Sequence, residues 1–122
     1  MTRIFQNKPF KRFADKEGLK NDDLQKAIND AENGLIDADL GGGVIKQRIA
    51  CHNKGKSSGY RTIILFKKSE RAFFVHGYAK NEKSNIEDYE LKAFKISANA
   101  LINCSDAELD NLINSNKMIE VK

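Results

Sequence analysis

The chain has 122 residues, a length that fits a single domain over 1–122. Its 40% hydrophobic and 31% charged residues exclude a disordered chain, and no run approaches the ~18 apolar residues that span a bilayer. Between residues 43 and 83 ten basic residues stand against only Glu70 and Glu82, a balance of +8, while the rest of the chain carries −4, so one part of the fold is built to meet an anionic partner.

Arg3, Ile4 and Phe5 read as a short edge strand. Pro9, the only proline, suits the first turn of a helix, where its missing N–H leaves nothing unpaired. A helix is predicted over 9–16, with Phe10 and Phe13 on one side and Gly18 as its stop. Asn21 as N-cap, Asp22 and Asp23 in the first turn, and Leu24, Ala27, Ile28 and Ala31 at helical spacing predict a second helix over 22–33, closed by Gly34. Gly41, Gly42 and Gly43 match no phosphate-loop pattern and read as a flexible lead-in to a sheet.

Three strands are predicted over 44–50, 59–66 and 72–79. Residues 51–58 form a basic, glycine-containing connection and 67–70 a hairpin turn, so the strands make an antiparallel meander. Ser84 with Glu87 has capping-box spacing, ahead of a helix that would bury Ile86, Tyr89, Leu91, Phe94 and Ile96. Ser105 with Glu108 repeats that spacing before Leu109, Leu112 and Ile113, and residues 118–121 read as a further edge strand. The fold class is α+β: a small antiparallel sheet with two N-terminal helices packed on one face, followed by C-terminal helices, and with the other face or one end of the sheet left free.

Side chains alternate along a strand, which sorts the chemistry. Lys46 and Arg48 share a face, as do Arg61, Ile63 and Leu65, and as do Phe74, His76, Tyr78 and Lys80. If those faces coincide, Lys46, Arg48, Arg61, His76, Tyr78 and Lys80 form one patch, with Lys54 and Lys56 at its rim. Cations bind phosphates, and rings beside them suit an unpaired RNA strand. RNA carries its own nucleophile, the 2′-OH. Cleavage then needs arginine to stabilise charge on the phosphate, and histidine, lysine or tyrosine to exchange protons. The cysteines Cys51 and Cys104 give neither a disulfide framework nor zinc spacing, and adjacent Cys51 and His52 would point to opposite faces of a strand. No metal or cofactor is expected. Neither Ser57 nor Ser58 lies in a nucleophile elbow.

The stretches VIKQRIA (44–50), KGKSSGYRTII (54–64) and AKNEKS (79–84) closely resemble the RelE/HigB superfamily of toxins from bacterial toxin–antitoxin pairs. The most specific elements are G-K-x-x-G-x-R and K-N-E-x-S, and the tail over 101–121, with SDAEL at 105–109, is similar to a HigB-like, phage-associated branch. The resemblance implies a RelE-like fold and a ribosome-dependent mRNA endonuclease acting by metal-independent 2′-OH attack. It implies a helix-turn-helix antitoxin from the neighbouring gene as partner, with mRNA and the ribosome as targets; apart from the resemblance, a sequence with no bilayer-spanning run and no signal-peptide core is expected in the cytoplasm, with no membrane partner. By the same resemblance Lys46 and Arg48 are the basic strand residues, Arg61 stabilises the transition state, and Lys80 or Lys83 is the basic position after the third strand. Asn81 stands where the family has a second arginine and Glu87 where it has a C-terminal tyrosine. The general acid is left among Lys80, His76 and Tyr78. The alternative is a non-catalytic protein of the RelE/ParE fold, either a gyrase poison or a decayed toxin that only binds its antitoxin.

Overall fold

The computed structural model describes residues 2–50, 59–79 and 86–122. Along the chain run β1 (Arg3–Asn7), α1 (Lys8–Glu17), α2 (Asn21–Glu32), β2 (Ala38–Gly41), β3 (Val44–Ala50), β4 (Gly59–Lys67), β5 (Arg71–Ala79), α3 (Asp88–Asn103), α4 (Asp106–Asn114) and β6 (Met118–Val121). The strands form one sheet in the order β2-β3-β4-β5-β1-β6. It is antiparallel except where β1 runs parallel to β5. The α+β class and the RelE-like arrangement read from the sequence are therefore present.

Both helical starts near the N-terminus follow their local chemistry. Asn7 Oδ1 accepts the N–H of Phe10 at 2.9 Å, Pro9 sits in the first turn of α1, and Gly18 closes it with φ +77. The first turn of α2 is acidic and its cap falls one residue early, on Lys20, whose N–H donates to Asp23. Phe10, Ala14, Leu24, Ala27, Ile28 and Ala31 bury α1 and α2 against one sheet face, over Ile45, Ile64 and Phe74.

The sequence reading needs correction at four places. The start of the chain is an interior strand rather than an edge: β1 lies between β5 and β6, and Phe5 is fully buried, stacked on Phe73 at 4.9 Å. The three glycines are not a loose lead-in. Ala38–Gly41 is a strand, and Gly42 and Gly43, with φ +62 and +82, make a two-residue hairpin turn into β3. The helix after β5 begins at Asp88 with Glu87 as N-cap, and the Glu87 N–H donates to Glu90 at 2.8 Å. Ser84 lies outside the described residues. Leu91, Phe94, Ala98, Leu101 and Ile102 form the buried stripe of α3, which turns Tyr89 and Ile96 outward, each 73% exposed. Finally, helices cover both faces. α3 and α4 pack on the face opposite α1 and α2, over Phe5, Val44, Ile63, Leu65 and Phe73.

Two arginines tie the C-terminal elements to the sheet. Arg71 at the start of β5 donates through Nη1 to the carbonyls of Leu101, Ile102 and Cys104 (3.0, 3.2 and 2.6 Å) and through Nη2 to Asp106 at 3.0 Å. It thus closes the C-terminal end of α3 and meets the first turn of α4. Arg3 grips Glu120 of β6 with Nε at 3.0 Å and Nη2 at 3.1 Å, and approaches Asp110 of α4. The hydrogen bond from Arg3 holds the Glu120 carboxyl below the usual glutamate range. A depressed carboxyl stabilises the fold fully above its unfolded pKa, ~4.3, and loses that contribution as the pH falls through the folded value. The stability difference between wild type and Glu120→Gln is therefore expected to be largest near neutrality and to shrink below about pH 4, as urea melts across pH would read. A difference independent of pH would deny the pairing.

Candidate active site

Register across β3, β4 and β5 assembles the basic face. Arg48 pairs with Arg61 and Arg61 with Tyr78, while Lys46 pairs with Ile63 and Ile63 with His76. Directly opposed residues share a face, so two rows of three stand about 7 Å apart along the strands, with strands spaced by about 4.8 Å. Lys46, Arg48, Arg61, His76 and Tyr78 are thus brought together on the α3/α4 side of the sheet.

The rows depend on one irregularity. β4 and β5 pair Ile63 with His76 but Ile64 with Phe74, so Val75 is an extra residue on β5. Phe74 consequently lies in the α1/α2 core, 4.9 Å from the ring of Phe10, and not on the face of His76 and Tyr78. That corrects the strict alternation read from the sequence. The bulge is held from below: Asn7, already the cap of α1, donates Nδ2–H to the Val75 carbonyl at 3.2 Å. Two residues further on, Gly77 faces Phe13, and a Cβ there would come within 2.5 Å of the ring. Phe13 can therefore lie flat on the strand and make an edge contact with Tyr60.

Each cation has a distinct setting. Arg48 is exposed and Lys46 half-buried. The Arg61 side chain is 17% exposed, and its Nε lies 3.5 Å from Asp37 Oδ2. Its Nη1 is buried with no hydrogen-bond partner among the described residues. The ring of His76 lies between those of Tyr78 (5.7 Å) and Phe94 (5.9 Å). The other cations of the basic segment do different work. Arg71 is the joint of α3 and α4, and Lys67 pairs with Glu70 at 3.2 Å beside the hairpin turn. Lys54, Lys56, Lys80 and Lys83 lie outside the described residues, as do Cys51, His52 and Asn81.

Sequence reasoning missed Asp37, the acid paired with Arg61 among the described residues. Its signal was hidden because β2 was not recognised. Once Ala38 is paired with Lys46, the residue before it falls beside the basic rows. Asp37 is itself placed by buried Gln47, whose Oε1 accepts the Asp37 N–H at 3.0 Å while Nε2 donates to the carbonyls of Ala27 and Leu35.

Guanidinium groups on a sheet face have the chemistry to bind phosphate, and half-buried His76 and buried Tyr78 beside them have groups that can exchange protons. A family model described as the RelE toxin of the RelE/RelB toxin–antitoxin system matches residues 2–121. The chain belongs to the RelE toxin family, and its role is that of the toxin in a toxin–antitoxin pair, with an antitoxin as partner. No curated protein matches it significantly. Among the described residues no helix is long and apolar enough to cross a membrane.

Proposed function

We propose that this toxin is an endoribonuclease that cuts mRNA on the ribosome and so arrests translation. The observation that carries the reading is the meeting of Arg48, Arg61, His76 and Tyr78 in adjacent positions of three strands. The RNA 2′-OH attacks its own phosphate, forming a cyclic phosphate and releasing the 5′-oxygen. Arg61 stabilises the charge that builds on the phosphate oxygens. Lys46 and exposed Arg48 hold the neighbouring phosphates, with Lys54, Lys56 and Lys83 extending the track. Protons pass through His76, Tyr78 or Lys80. The metal-independent route needs only these groups. The antitoxin, a helix-turn-helix protein from the neighbouring gene, would silence the toxin, and the basic face suits an acidic antitoxin segment.

The test is brief induction in bacterial cells, with and without antitoxin, followed by mapping of 5′ RNA ends. Fresh ends inside translated codons, absent when antitoxin is co-expressed, are expected within minutes. Growth arrest without new ends would overturn the reading in favour of another target such as gyrase. Neither arrest nor ends would leave a protein that only binds its antitoxin.

A further inference from the structure

We propose that Asp37 is a positioning residue for Arg61, set in place by the Gln47 side chain. The inference rests on the reading of Arg61 as the phosphate-binding arginine. The chain of contacts is continuous. Gln47 is 4% exposed and spends its amide on two carbonyls, Ala27 of α2 and Leu35 of the following loop. Its remaining oxygen fixes the backbone of Asp37. Thr62 Oγ1, fully buried on β4, donates to the Gln47 carbonyl at 3.1 Å and ties the same point to the neighbouring strand. The carboxylate of Asp37 therefore stands on a buried support rather than on a free loop.

What it does to Arg61 follows from which edge it meets. An anion that competed with substrate would take the fork of the guanidinium with two short bonds of ~2.7–2.9 Å. Asp37 instead meets Nε at 3.5 Å, from the side. That contact biases the orientation of the guanidinium on its long, flexible stem, and Nη1 is left without an acceptor among the described residues. A buried N–H without a partner is costly, and a phosphate oxygen would relieve it. The arrangement is pre-organised for a ligand whose oxygen arrives at the Nη edge, and rotamer freedom that would otherwise be lost on binding is already gone.

The test uses the full chain with 15N-labelled arginine, and two substitutions. The Nε–Hε resonance of Arg61 should be resolved in the wild type, retained in Asp37→Asn, whose amide oxygen still accepts, and lost to exchange in Asp37→Ala. In single-turnover cleavage of mRNA on programmed ribosomes, Asp37→Ala should lower the maximal rate about tenfold to a hundredfold, the usual cost of removing an outer-shell orienting group. The half-saturating toxin concentration should stay nearly constant, and Asp37→Asn should recover most of the rate. Urea melts confirm that the variants are folded. Faster cleavage with tighter binding in Asp37→Ala would mean that the carboxylate competes with substrate, and an Arg61 resonance unmoved by either substitution would deny the contact; each overturns the proposal. If the wild type cuts no RNA, the cleavage reading fails by itself, and the resonance, with binding of a 2′-O-methyl RNA oligonucleotide, still decides the role of Asp37.

Discussion

Arg61→Ala is expected to abolish toxicity while leaving the fold intact. Removing one preorganised donor from a developing oxyanion costs roughly a hundredfold to a thousandfold in rate. A guanidinium that also holds the substrate phosphate should sit at the upper end of that range or beyond. The structural cost is small by comparison. The ion pair with Asp37 is long, at 3.5 Å, and Asp37 is 25% exposed, so water can solvate the carboxylate left behind. A partly exposed pair of this kind contributes about 1 kcal/mol or less, and the substitution also removes a buried Nη1 that has no partner among the described residues. Melting temperature should therefore remain close to wild type while 5′-end formation disappears. Arg61→Lys should recover only a fraction of the activity, because an ammonium is a point charge and cannot present a planar edge. A folded, fully toxic Arg61→Ala protein would remove Arg61 from the mechanism.

The contrast between what could and could not be read from the sequence lies in how far apart the deciding residues are. Strands β3, β4 and β5 were legible because 44–50 and 59–79 are dense in β-branched and aromatic residues, and α1, α2 and α4 because caps and apolar spacing are local signals. β2 was hidden. Four residues, two of them Asp39 and Gly41, hold no strand signal, and the strand forms because Gly42 and Gly43 can both turn at positive φ beneath Ile102. With β2 went Asp37. The bulge at Val75 was marked only by Gly77, a strand-interior glycine that signals a bulge or a close approach without saying which. The residue that props it, Asn7, lies 68 positions away. The gathering of Arg48, Arg61, His76 and Tyr78 was anticipated from alternation, but the same alternation misplaced Phe74, because the bulge shifts the phase between Phe74 and His76. The exposed Tyr89 and Ile96 show the limit of apolar spacing when the helix cap is misread by three residues.

Arg71 was counted with the basic segment, yet its contacts make it a stability residue, and its substitution should separate the two roles. Arg71→Ala is expected to lower stability by about 3 kcal/mol with no intrinsic loss of cleavage at temperatures where the variant is folded. Its side chain is only 12% exposed and serves four oxygen acceptors, three of them carbonyls at the end of α3 and one the carboxylate of Asp106 in α4. Hydrogen bonds from a charged donor are worth about 1.5–3 kcal/mol each, but they share one side chain and do not add. Some carbonyls of the last helical turn can also turn to water once the guanidinium is gone. For a domain of this size a 3 kcal/mol loss lowers the melting temperature by about 10 °C. Arg71→Lys should lie between, since three donors at one point cannot span acceptors on two helices. The surface pair Lys67–Glu70 is the control: Lys67→Ala should cost less than about 1 kcal/mol, as an exposed pair does. The decisive comparison is crossed. Arg61→Ala should remove activity and spare stability, Arg71→Ala the reverse. If Arg71→Ala melts with the wild type, the α3–α4 joint is held by apolar packing alone, through Leu101, Ile102 and Leu109 against the sheet.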